Sequence, residues 1–257
     1  MRQREEEKGE YMDKKRCTAI LLAAGSGKRM QSDVAKQFML LDGKPLIWYA
    51  LHTIEQSSVI EDCILVTGAE DIAYVQKEIV ERYDFHKVNK IVAGGAERYD
   101  SVYNALKIIA DEDKMVPNRD GYVFIHDGAR PFLTEDIIER SYQAVTEAHA
   151  CVVGMPVKDT IKLADAGGYA ASTPDRSLVW QIQTPQVFDA KLIIDAYSRL
   201  ILQKEELAAK GIKITDDAMV VETLLEHPVK LVQGSYENIK ITTPEDLCVA
   251  EAFLSRG

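Results

Sequence analysis

Small residues followed by cations form the first stretch that could do chemistry. Ala23-Ala24-Gly25-Ser26-Gly27 closes an apolar run, Lys28 and Arg29 follow at once, and Lys36 stands seven residues after Arg29. Small residues let a backbone approach a ligand closely. Cations just beyond them suit concentrated negative charge, such as a triphosphate. The stretch is not a P-loop, because Gly25-Ser26-Gly27-Lys28 lacks the spacer and Arg29 stands where Ser or Thr would meet magnesium. It is not a dinucleotide fingerprint either, since Met30 replaces the third glycine.

Four more stretches carry chemical residues. Gly94-Gly95 and Ser101 offer an open backbone and a helix cap, or simply a turn and a cap. In His126-Asp127-Gly128-Ala129-Arg130-Pro131, a carboxylate at the end of an apolar run could ligate Mg²⁺. Arg130 could pair with phosphate or brace Asp127, whereas His126 reads as packed beside the strand. Thr160 and Arg176 flank a turn and could bind phosphate, or be solvated hairpin residues. Lys240 sits between Ile239 and Ile241 on a short strand, pointing away from both. It could equally guard a sheet edge.

The elements that must position these residues alternate in type, which implies an α/β fold with a mostly parallel sheet. Strands are expected at Cys17–Leu22, Cys63–Thr67, Lys90–Ala93, Tyr122–Ile125, Cys151–Gly154, Leu231–Gly234 and Ile239–Ile241. Helices are expected after Pro45, at Ile72–Tyr83, Ser101–Ala110, Thr134–His149 and Asp189–Leu207, behind Thr215, and from Pro244 to Leu254. Val157–Leu163 and Tyr169–Thr173 read as a hairpin around Asp165-Ala166-Gly167-Gly168. Such an arm needs a partner surface, because lone hairpins are marginal in water. Ligands of open α/β sheets bind beyond the carboxyl ends of strands, so several of these loops are expected to converge.

The chain has 257 residues, 46% of them hydrophobic, and a net charge of −10. That supports one sizeable core and argues against a nucleic-acid or anionic-membrane surface. Cys17, Cys63, Cys151 and Cys248 are widely spaced and read as buried small hydrophobes in a reducing cytoplasm. No apolar run is long enough to span a membrane, and the charged start lacks a secretory signal. Residues 1–16 read as a flexible extension and 17–257 as one domain, with an arm at about 156–178.

From Thr18 to Leu254 the motifs LLAAGSGKRM, AKQF, GGAERYDSV, HDGARPF, PVKDTIK, QTPQVF, TDDA and NIKITTPEDL stand in one order. Together they resemble the 2-C-methyl-D-erythritol 4-phosphate cytidylyltransferase family of isoprenoid precursor biosynthesis. The resemblance implies a Rossmann-like nucleotidyltransferase fold with a protruding β-hairpin arm, Mg²⁺ dependence, and a homodimer whose active sites are shared through that arm. It implies transfer of CMP from CTP to methylerythritol phosphate, with release of pyrophosphate. Ala23, Ala24, Gly25, Ser26 and Gly27 would cradle the triphosphate, and Arg29, Lys36 and Lys240 would act in catalysis. Gly95, Ser101 and Arg130 would complete the nucleotide site, and Asp127 would hold the metal. Thr160 and Arg176, from the other subunit, and Thr184, from the QTPQVF motif, would bind the alcohol phosphate. Ala96 departs from members that carry an acid there, which leaves only backbone contacts to the nucleoside at that position. A ribitol 5-phosphate cytidylyltransferase and a non-catalytic nucleotide-binding protein are the rival readings.

Overall fold

The computed structural model describes residues 15–25, 35–115 and 120–256, and only the backbone over 112–115. The expected extension over 1–16 therefore lies almost wholly outside the described residues. In chain order the elements are β1 (Arg16–Ala23), β2 (Leu40–Leu41), β3 (Lys44–Pro45), α1 (Leu46–Gln56) and β4 (Asp62–Thr67). Next come α2 (Ile72–Tyr74), which continues as a π-helical stretch over Val75–Glu81, then β5 (Val88–Ala93), α3 (Arg98–Met115) and β6 (Gly121–Asp127). They are followed by α4 (Glu135–Ala148), β7 (Ala150–Pro156), β8 (Leu163–Ala164), β9 (Ala170–Ser172) and β10 (Trp180–Asp189). The last are α5 (Ala190–Ala209), α6 (Asp217–Leu225), β11 (Lys230–Gln233) and α7 (Pro244–Leu254).

A seven-stranded sheet has the order β11-β7-β10-β6-β1-β4-β5. β10 alone runs antiparallel to its neighbours, β6 and β7. Both faces are covered, so successive residues of one strand enter opposite cores. Ala19 and Leu21 pack toward Ile47 and Leu51 of α1 and Ile137 of α4. Ile20 packs toward Leu106 of α3 and Tyr197 and Leu200 of α5. This two-sided burial explains why β4 and β6 are apolar runs rather than alternating ones.

Local chemistry sets the helix ends. Thr134 caps α4 by accepting from the Ile137 N–H, with Glu135 and Asp136 in the first turn. Asp246 closes a box at α7 by accepting from the Thr243 N–H at 2.9 Å, behind Pro244. Several expectations need correction. Pro45 is the N-cap of α1 rather than its first turn. Ser101 lies inside α3, which already starts at Arg98. Asp216, not Thr215, caps α6 by accepting from the Met219 N–H. Residues 239–241 form no strand. The arm pairs only as the short β8 and β9.

The largest omission is β10. Gln181, Gln183, Thr184, Pro185 and Gln186 hide a strand from any apolar pattern. The Thr184–Pro185 peptide is cis, and a bulge separates Ile182 from Gln186. Gln181 is exposed, but Gln183, Thr184 and Gln186 are buried with partners: the Gln183 amide donates to Ser235 O at 2.8 Å, and Gln186 accepts from the Ala218 N–H at 2.8 Å. Among the described residues no helix is long and apolar enough to cross a membrane.

Candidate active site

The chain leaves β1 toward β4 and β5 on one side and returns as β6 on the other. A crevice opens at such a switch, beyond the strands' carboxyl ends. There Leu22 of β1 stands beside Asp127 of β6, and the Gly128 N–H donates to Leu22 O at 2.8 Å. A cleft of about 470 Å³ fills this position. Its walls bring together Ala23 at the end of β1, Ala24 and Gly25 just after it, Gly95 and Ser101 after β5, and Asp127. Lys36 and Lys240 complete the set of expected residues it gathers, and Ala96 also lines it.

The glycine pair lets two loops touch. A Cβ on Gly94 would sit 2.4 Å from the Ala24 Cβ, and one on Gly95 would sit 2.2 Å from the Asp100 Cβ. The Ser101 hydroxyl accepts from the Gly95 N–H at 3.0 Å and donates to Glu97 O at 3.3 Å, so it pins the loop from within the helix.

Opposed charges meet at Asp127. Lys240 Nζ donates to its Oδ2 at 2.6 Å and Arg98 Nε to its Oδ1 at 3.4 Å. Burial works against charge on Asp127, but Arg98 and Lys240 outweigh it and hold the carboxyl well below the usual carboxylate range. Arg98 turns its other edge to the fully buried Asp217, with NH1 and NH2 on the two carboxylate oxygens at 2.8 and 2.7 Å. Burial opposes the Arg98 charge, and Asp217 and Asp127 more than offset it. The Tyr197 hydroxyl donates to Asp217 Oδ1. Burial, then Asp217, pushes that phenol well above its ordinary pKa, so it stays a donor. Lys36 Nζ donates to Ile241 O at 3.3 Å, which ties its segment to the one carrying Lys240.

The remaining expected residues lie elsewhere. Arg130 does not line the cleft. Its guanidinium donates to Asn238 O at 2.7 Å and Ile182 O at 3.4 Å, and so holds the Lys240 segment against β10. Thr184 is buried under the cleft, where its hydroxyl accepts from the Asp127 N–H at 3.1 Å and donates to His126 Nδ1 at 3.0 Å. His126 Nε2 then donates to Arg130 O at 3.1 Å. Burial lowers His126 to about 4, so the ring is neutral near pH 7 and structural. Thr160 and Arg176 are exposed on the arm, away from the cleft walls, and Arg176 donates to Lys158 O at 3.0 Å. Ser26, Gly27 and Arg29 lie outside the described residues.

Among the described residues no cluster of three or more His, Cys, Asp or Glu could hold a metal ion. Among the described residues the cleft is lined by two carboxylates, Asp127 and Glu97, and Asp127 is held ionised by Arg98 and Lys240. That fits Mg²⁺, which is commonly held by one or two carboxylates together with substrate phosphates.

Comparison with known proteins gives the family. The family model described as 2-C-methyl-D-erythritol 4-phosphate cytidylyltransferase matches residues 17–256. The chain belongs to that family. A member from Lachnospira eligens is 51% identical over 92% of this chain and 98% of its own length. One from Lachnoclostridium phytofermentans is 48% identical over 92% and 95%. The crystal structure of a 4-diphosphocytidyl-2C-methyl-D-erythritol synthase from Anaerococcus prevotii superposes with a TM-score of 0.79 at 34% identity, covering 95% of this chain and 98% of that one. The protein is thus a cytidylyltransferase with a Rossmann-like nucleotidyltransferase fold.

Within this cytidylyltransferase, Arg98, Asp217 and Tyr197 escaped sequence reasoning. Arg98 stands inside GGAERYDSV and Asp217 inside TDDA, so both were within reach. Nothing local joins them, because they are 119 residues apart in the chain. Tyr197 reads only as a core aromatic at helical spacing.

Proposed function

We propose that this chain transfers CMP from CTP to 2-C-methyl-D-erythritol 4-phosphate. A phosphate oxygen of the acceptor attacks the α-phosphorus of CTP, a P–O bond forms, and the bond to the β-phosphate breaks with release of pyrophosphate. The nucleophile is already ionised near neutrality, so no general base is required. The difficulty is repulsion between anions and charge growing at phosphorus, which fixed cations relieve. The observation that carries the reading is the convergence of Lys36, Lys240 and Asp127 on one cleft between the β1 and β5 loops.

In this reading the β1 loop and Arg29 hold the triphosphate, while Gly95 and Ser101 hold the nucleoside. Lys36 and Lys240 neutralise phosphate charge. Asp127 would hold Mg²⁺, which supplies further neutralisation when bound. Thr160 and Arg176 would reach the alcohol phosphate from the partner subunit of a homodimer. Exposed Leu163, Tyr169 and Leu178 on and beside the arm support such a contact. Cys17, Cys63 and Cys151 are buried as expected whereas Cys248, on α7, is exposed; all four are thiols, which supports a cytoplasmic enzyme.

The test is pyrophosphate release from CTP and Mg²⁺ with a panel of alcohol phosphates. Methylerythritol phosphate is expected to support turnover, with ribitol 5-phosphate at least about 100-fold poorer in kcat/KM. Preference for ribitol 5-phosphate, or no release with either, overturns the reading.

A further inference from the structure

Arg98 faces two carboxylates and gives them unequal edges. Its paired NH1 and NH2 take Asp217 at 2.8 and 2.7 Å, and only Nε reaches Asp127, at 3.4 Å. Paired guanidinium–carboxylate contacts are the stronger kind. A guanidinium with its paired edge open beside Asp127 would close on that carboxylate instead. Asp217 is therefore placed to prevent this, and it is itself held. It is fully buried, Tyr197 donates to Oδ1, and Tyr197 is fully buried too. The start of α6, which carries Asp217, is clamped from β10. Gln186 accepts from the Ala218 N–H at 2.8 Å and donates to Asp216 Oδ2 at 3.0 Å.

We propose that Tyr197 and Asp217 are positioning residues that occupy the paired edge of Arg98 and so keep Asp127 open toward the cleft. Neither touches substrate in this scheme; both act through Arg98. The charge on Asp127 is balanced by Lys240 and the single Nε contact, which leaves the carboxylate able to share its oxygens with a cation arriving on a nucleotide. The inference rests on the metal role proposed for Asp127.

The experiment measures Mn²⁺ affinity of the full-length protein by electron paramagnetic resonance, with CTP saturating for each variant and no acceptor present. Asp217→Asn keeps the side-chain shape and frees Arg98. It is expected to weaken Mn²⁺ binding about tenfold. Adding Arg98→Gln to that variant removes the competing guanidinium and is expected to restore affinity to within about twofold of the parent. A merely structural pair would show further loss in the double variant, not recovery. Tyr197→Phe removes one donor and is expected to weaken Mn²⁺ about threefold. It serves as the single-site test if Asp217→Asn fails to fold by circular dichroism. Unchanged affinity in the single variants, or no recovery in the double variant, overturns the proposal. The measurement involves no alcohol phosphate, so it can fail while pyrophosphate release by the parent succeeds, and the reverse. A parent–CTP complex that binds no Mn²⁺ removes the role of Asp127 and this inference together.

Discussion

The cleft and the arm hold their charged residues by opposite means. At the cleft and directly behind it, Asp127, Arg98, Asp217 and Lys240 come from four separate stretches, and each fixes another through a contact. On the arm, Arg176 and Lys162 reach only nearby groups, Lys158 O at 3.0 Å and the Thr173 hydroxyl at 2.7 Å. The cleft is thus organised by the chain itself. The arm is tied to the rest of the chain at its base, where Lys158 lies 3.6 Å from the Tyr236 ring, but beyond that it is built locally and exposes Tyr169 at 77% and Leu178 at 79%. A pre-organised site gains its effect from groups that need not move during reaction. An arm gains its effect from what it meets, which here is the proposed second subunit.

The comparison breaks first at the cleft cations. Lys36→Ala and Lys240→Ala are each expected to lower kcat by about 10²–10³-fold, the usual effect of removing one preorganised charge partner. Steady-state kinetics with both substrates varied would show it. A rise in KM with kcat intact would reassign these lysines to binding alone.

Acid should act on the built region. His126 is buried with its pKa lowered from 6.5 to about 4, so the unfolded chain binds more protons than the folded one between those values. Its contribution is complete above pH 6.5 and is lost as pH falls toward 4, by at most about 3 kcal/mol. Denaturant unfolding at a series of pH values would measure the slope. His126→Gln is expected to flatten it over that window. An equal slope in the variant would assign the loss to other groups.

On the arm, Arg176→Ala is expected to raise KM for the alcohol phosphate about tenfold while KM for CTP stays within about twofold. Mixing Arg176→Ala chains with Lys240→Ala chains sharpens this result. If each site joins residues of two subunits, a verified heterodimer regains about half the parental activity, because one of its two sites is intact. No recovery would return Arg176 to its own subunit. The smallest effect is expected at Ser101→Ala, which leaves the Gly95 N–H without its acceptor. KM for CTP should rise about threefold to tenfold, consistent with one lost hydrogen bond.

The sheet was legible where burial on both faces makes strands into apolar runs, as in Cys63–Thr67 and Tyr122–Ile125. Helix starts were legible where a cap carries its own chemistry, as at Thr134 and at Thr243-Pro244. The cleft residues after β1, β5 and β6 were legible as strand ends and the loops beyond them, whereas Lys240 was expected on a strand that does not form, and the order of the motifs carried the family. β10 was not legible, because its polar side chains are satisfied by residues far along the chain, such as Ser235 and Ala218.

The sequence by itself therefore determined the α/β class, the family, and the loops that line the cleft, since these rest on local periodicity, small residues and motif order. Only the tertiary structure decided what each charge does. Arg130 and Thr184 turned out to support the cleft from beneath, and Arg98 and Asp217 emerged as its bracing pair. The physical reason is distance along the chain. A charge acquires its partner from whichever strand end or helix start folding brings within about 3 Å, and no local pattern encodes that meeting.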